Sequence, residues 1–153
     1  MKYFQISRPA VMGIAAAAAL ALSAFSGFAT ADELKFKLSG DMEVPPVKTM
    51  AQGNADISIN KDMTVSGKIT TSGITATMAH IHNGKAGSNG PVIVTLTKNG
   101  DNGWMVPAGT KLSETEFKAF MADELYVNVH SAENKGGEIR GQLMPSKPVM
   151  NSK

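Results

Sequence analysis

Short segments in which apolar and polar residues alternate, each ended by Gly, Asn, Asp or Pro, run through this chain from residue 34 to residue 143. In an extended strand successive side chains point to opposite faces, so alternation builds half-buried strands, whereas a surface helix needs apolar residues every three or four positions. Residues 34–38 alternate and stop at Ser39-Gly40. Residues 55–59 alternate up to Asn60-Lys61-Asp62, and residues 63–69 follow as the second arm of a hairpin. Residues 74–82, 92–97, 125–130 and 138–143 supply four more strands. The stretch Val44-Pro45-Pro46-Val47 lacks two ladder donors and reads as an extended edge or loop. The pattern predicts an all-β sandwich or barrel.

One segment breaks the alternation. Ser113-Glu114-Thr115-Glu116 is a capping box, and Leu112 and Phe117 occupy the two staple positions around it. Phe117, Phe120 and Met121 then share a helical face, which predicts one short helix over about 114–124 packed on the sandwich. The glycine-rich residues 83–91 form a loop, and the absence of a Gly-Lys-Ser/Thr ending excludes a phosphate-binding loop.

The first thirty-one residues read as a cleaved export signal. Lys2 and Arg8 precede an apolar run over residues 10–28, and Ala29-Thr30-Ala31 is an A-x-A cleavage pattern followed by acidic Asp32-Glu33. The run is about long enough to span a bilayer, so an uncleaved anchor is the competing outcome, which the A-x-A ending disfavours. Lys2 and Arg8 account for the whole formal charge of +2, leaving the mature part with equal numbers of basic and acidic residues. Such a balance gives no electrostatic basis for nucleic-acid or anionic-membrane binding. The chain has no cysteine, so an exported domain of this sequence holds together by its core alone. The expected organisation is a signal peptide over 1–31, one domain over 32–144 and a flexible tail over 145–153, with a periplasmic or secreted location.

The chain's three histidines fall on two of the expected strands. His80 and His82 share a face while Ile81 takes the other; His130 shares a face with Tyr126 and Asn128. If the strands are neighbours, three imidazoles converge on one polar patch, the protein contribution that a copper or zinc site with an open fourth position needs. Copper is preferred to zinc for a nitrogen-rich site. The plainer alternative is that each imidazole bonds a nearby backbone carbonyl or caps the glycine-rich loop. Met78 lies on the face of His80 and is a candidate soft ligand, although methionine more often fills gaps in cores. Asn128, Tyr126 and Glu138 are candidates to orient an imidazole. Glu138 and Arg140 share a strand face and are expected to form a solvated ion pair. No nucleophile–base arrangement is legible, and the paired carboxylates near residue 114 serve the helix N-terminus.

Several stretches together resemble one family. Leu38-Ser39-Gly40 with Glu43-Val44-Pro45-Pro46, residues 79–84 and 87–92, Tyr126-Val127-Asn128-Val129-His130 and Gly136-Gly137-Glu138-Ile139-Arg140-Gly141-Gln142 closely resemble the CHRD domain, common in bacterial exported proteins. A more distant resemblance is to copper-zinc superoxide dismutases, which implies a Greek-key β-sandwich. In that comparison His80 and His82 match the His-x-His copper pair, His130 the later ligand and Arg140 the anion-guiding arginine. The bridging histidine, the zinc-loop histidines and the disulfide have no counterparts here. Three functions follow as expectations. The first is an exported metal-binding protein using His80, His82 and His130 for copper sequestration, delivery or redox use, with Met78, Asn128 and Arg140 as accessory candidates. The second is a non-metal module that binds an extracytoplasmic protein or surface polymer through Pro45-Pro46 and residues 83–91. The third is a dismutase-like oxidoreductase.

Overall fold

The computed structural model of this protein describes residues 32–146; the expected signal peptide and residues 147–153 of the expected tail lie outside them. The alternating segments form strands where the pattern places them. β1 (Asp32–Ser39), β2 (Gln52–Ile59) and β3 (Val65–Ser72) make an antiparallel meander, with Leu34 opposite Ile57 and Ala55 opposite Ile69. Leu34, Leu38, Ala55, Ile57, Ile59, Val65 and Ile69 are buried on one side, with Phe36 partly buried against them. The turn between β2 and β3 holds by Asn60 and Thr64, whose backbone and side chains bond each other at 3.0 and 2.8 Å.

After Gly73, at φ +70, the chain leaves the meander and enters β4 (Ala76–Asn83). β4 pairs with β5 (Val92–Thr95) on one side and β8 (Leu125–Ser131) on the other. β9 (Ile139–Leu143) then lies between β8 and β1, meeting β1 at Ser39 opposite Arg140. The expected single strand over 92–97 divides at buried Leu96. β5 before it pairs with β4, while β6 (Thr97–Lys98) after it pairs with β7 (Gly103–Met105) on the edge of β3. The order is β5-β4-β8-β9-β1-β2-β3-β7-β6, and Leu96 links its two ends. The result is an all-β Greek-key sandwich closed like a flattened barrel around one core.

The helix α1 (Glu114–Met121) begins with the full capping box: Ser113 Oγ accepts from Glu116 N–H at 3.2 Å, and Glu116 Oε2 accepts from Ser113 N–H at 2.7 Å. It ends earlier than expected, because Asp123 turns to φ +61 and leads straight into β8. Its packing face is Ala119 and Phe120, with Phe117 partly buried; Met121 is exposed rather than on that face. Among the described residues no helix is long and apolar enough to cross a membrane.

The seam between β9 and β1 is close enough to require a glycine. A Cβ on Gly141 would lie 2.5 Å from the Lys37 carbonyl oxygen and 2.8 Å from the Phe36 ring. Gly141→Ala is expected to destabilise the fold by roughly 1–3 kcal/mol, the usual cost of forced overpacking. A urea-denaturation midpoint within error of the wild type would contradict this account of the seam.

Candidate metal centre

Every residue of β8 is buried, as is every residue of β9 beside it. Leu125, Val127 and Val129 enter the core, as alternation demands, which turns Tyr126, Asn128 and His130 to the outer face. The register of β4 against β8 sets His82 opposite Tyr126, His80 opposite Asn128 and Met78 opposite His130. β9 continues the same face, with Gln142 opposite Tyr126 and Arg140 opposite Asn128. The polar face is therefore not solvated but covered. Residues 84–91 lie over it from one side, residues 132–138 from another, and Glu43 and Val44 from a third.

Arg140 fastens this cover. It is 1% exposed and donates to the carbonyls of Ser88 and Lys85 at 3.0 and 2.9 Å and to Gln142 Oε1 at 3.3 Å. Its guanidinium lies 3.4 Å from the centroid of Tyr126, and the His82 ring stacks on Tyr126 at 4.7 Å with the planes 7° apart. Gln142 adds bonds to the carbonyls of Gly84 and Asp123. The expected Glu138–Arg140 surface pair does not form. Both side chains are buried, Glu138 accepts from Thr49 Oγ1 at 2.7 Å, and Arg140 is committed to the loop. Nor is Arg140 exposed as an anion guide would be.

The three histidines come together: one ligating nitrogen from each can be chosen so that all lie within 4.8 Å of one another. His82 and His130 are buried and His80 partly so. His82 Nδ1 lies 2.9 Å from the Gly90 carbonyl oxygen, and His130 Nδ1 lies 2.8 Å from that of Lys135. A carbonyl only accepts, so each Nδ1 carries a proton, and a ring with that single proton presents its Nε2 lone pair as an acceptor. These are the carbonyl bonds that the plainer account of the histidines expected. They are also the outer bonds that fix the tautomer of a metal-ligating histidine. His80 Nδ1 sits 2.9 Å from His130 Nε2 and, with that lone pair facing it, donates to it. Burial pushes the imidazoles of both His80 and His82 below their ordinary range, and their neighbours' positive charge adds to this for His80. Both shifts favour the neutral ring, the form that binds a metal.

The accessory candidates separate. Met78 is half-exposed at the rim, beside a β-bulge at Thr77, whose hydroxyl donates to the His130 carbonyl at 3.3 Å. Asn128 forms the floor, 1% exposed, its Nδ2 donating to the Gly136 carbonyl at 3.3 Å. Arg140 acts through the covering loop. Sequence reasoning missed Glu43, which is 4% exposed and packs with Asn128 against the bare backbone of Gly137. Its only sequence signal was its place before Val44-Pro45-Pro46. Burial pushes the Glu43 carboxyl up to about 7, against the opposing pull of Arg140.

Because the folded protein holds that proton more tightly than the unfolded chain, the contribution is full below about pH 4.5 and is lost as pH rises through about 7. The stability difference between wild type and Glu43→Gln should therefore shift against the wild type by on the order of 2–3 kcal/mol between pH 4.5 and 8. Parallel stability–pH curves for the two proteins would contradict this assignment.

A CHRD domain model matches residues 34–143, nearly all of the described chain. No curated protein and no solved structure matches the chain. The match spans every strand from β1 to β9, including both histidine strands and the Glu43 segment, and on it this chain belongs to the CHRD domain family.

Proposed function

We propose that this protein is an exported metal-binding protein that holds one ion, copper in preference to zinc, through His80, His82 and His130. The observation that carries this is the pair of Nδ1–H bonds to the Gly90 and Lys135 carbonyls, which leave two buried Nε2 lone pairs in reach of a third imidazole. In a tetrahedral site with N–metal distances near 2.0–2.1 Å, ligand nitrogens stand roughly 3.3 Å apart. The His80–His130 pair is already at 2.9 Å, so closure asks mainly for a small inward shift of the remaining ring. For an ion to sit between those two nitrogens, the His80 ring would carry its proton on Nε2 instead of Nδ1, staying neutral and offering the Nδ1 lone pair. Three protein ligands leave a fourth position open, which suits transfer or exchange of the ion more than a closed structural role.

Export follows from the expected signal segment and from the domain family, whose members are typical of extracytoplasmic proteins. The alternative of a partner-binding loop at residues 83–91 is less well supported. Its Lys85, Ser88 and Gly90 carbonyls and its Asn89 side chain are already committed to Arg140, His82 and the Val44 carbonyl. Dismutation draws no support from a buried, loop-bonded Arg140.

Titration of the protein from residue 32 onward with Cu(II), Cu(I) and Zn(II) is expected to show one ion per chain. Affinity should fall by more than roughly 100-fold in His80→Ala/His82→Ala and in His130→Ala, beyond the effect typical of losing an outer-shell partner. Failure to bind any of the three at micromolar concentration, or equal binding by the double variant, would sink the proposal. Protons compete for the same nitrogens, so affinity should decline as pH falls. Competition assays between pH 5 and 8 measure the onset.

A further inference from the structure

Three buried side-chain atoms at the histidine cluster, His82 Nε2, Asn128 Oδ1 and Glu43 Oε1, make no hydrogen bond of good geometry within the protein, although the Asn128 carboxamide lies near enough to Glu43 and His82 to bear on both. Buried polar atoms are nearly always paired, so three orphans in one pocket call for a common cause. They belong together by position. Asn128 stands directly opposite His80 across the β4–β8 ladder, a pairing that brings Cβ atoms to about 4.5–5.5 Å. A Cβ on Gly137 would lie 2.3 Å from Glu43 Oε1 and 2.6 Å from Asn128 Nδ2, so Glu43 packs directly behind the carboxamide. They also agree in kind. His82 spends its N–H on Gly90, Asn128 spends its Nδ2 on Gly136, and what each leaves over is an acceptor. An ionised Glu43 offers an acceptor too. No cation of the chain fills the gap, because the nearby Arg140 is used by Ser88, Lys85 and Gln142.

Resting on the three-histidine proposal, we infer that the fourth ligand of the bound ion is a water molecule held from the floor side by Asn128 Oδ1 and Glu43 Oε1. A single hydrated ion then satisfies all three atoms: the ion takes the His82 Nε2 lone pair, and the two water protons go to the two oxygens. Glu43 and Asn128 are positioning residues in this arrangement and do not touch the ion. The position is exchangeable, and small anions compete for it against the Glu43 carboxylate. That distinguishes it from a position filled by the Met78 thioether, which lies on the solvent rim.

The test uses copper-loaded protein at pH 8. Pulsed electron paramagnetic resonance of the Cu(II) wild type in H2O and D2O should show strongly coupled exchangeable protons of a bound water. Azide should displace that water, and in Glu43→Gln, with copper stoichiometry unchanged, azide should bind roughly three- to tenfold tighter, because a nearby negative charge has gone. Copper uptake without exchangeable-proton coupling overturns this inference alone. So does azide affinity in Glu43→Gln equal to that of the wild type. A wild type that takes up no copper overturns the three-histidine proposal with it. The wild-type resonance measurement stands whether or not the variant folds.

Discussion

A buried guanidinium organises the working face of this domain. Arg140 cannot lose its charge, and removing it from water is costly unless every N–H finds an acceptor. Here those acceptors come from residues 85–89, more than fifty residues earlier in the chain, and the aromatic face of Tyr126 supplies a further contact. The loop is therefore drawn across the outer face of β4, β8 and β9 instead of standing into solvent. Without that cover the face would be a wet strand surface, and Tyr126, Asn128 and His130 would have no reason to be buried.

The histidine geometry is downstream of the same cover. Gly90 ends the clamped loop, and its carbonyl fixes the tautomer of His82; its N–H meanwhile donates to the Tyr126 hydroxyl at 3.2 Å. Thus one side chain of β8 is held by Arg140 on the ring and by the loop on the hydroxyl, and His82 stacks on it. On the other side the Lys135 carbonyl does for His130 what Gly90 does for His82. Both carbonyls sit in backbone segments with glycine close by, where a Cβ on Gly90 would collide with the Asn83 carbonyl and one on Gly137 with Glu43. The glycine content of these loops is a consequence of how closely they pack on the polar face.

Period-two alternation made the hairpin of β2 and β3, the faces of His80, His82 and His130, and the apolar side of β8 legible before any coordinates, because those depend only on neighbouring residues. The capping box located the start of α1 for the same reason. Alternation says which way a side chain points but not what lies there, so it could not distinguish a solvated Glu138–Arg140 pair from a buried clamp. Nor could it show that the apolar run after Pro91 divides at Leu96 to serve both ends of the sheet, since that depends on where β4 and β7 lie in space. Glu43 was invisible as a site residue because it reaches the floor from a connection between β1 and β2, with no periodic pattern of its own.

The electrostatics of the pocket explain why a carboxyl belongs there. Arg140 lowers the tendency of His82 to take a proton and would equally oppose any other cation nearby. Uncharged imidazoles do nothing to offset that repulsion, whatever their geometry. Glu43 is the buried carboxyl that feels Arg140, and burial holds its titration near neutrality rather than in the ordinary carboxylate range. It is thus protonated at little cost when the pocket holds no added charge, and readily ionised when charge arrives. A fixed anion beside Arg140 would instead pair with it and pull on the clamp that holds the loop. Under the proposed metal-binding function, a carboxyl poised between its two states would let the same pocket accommodate Arg140 alone or Arg140 together with a cation, while the covering loop stays in place.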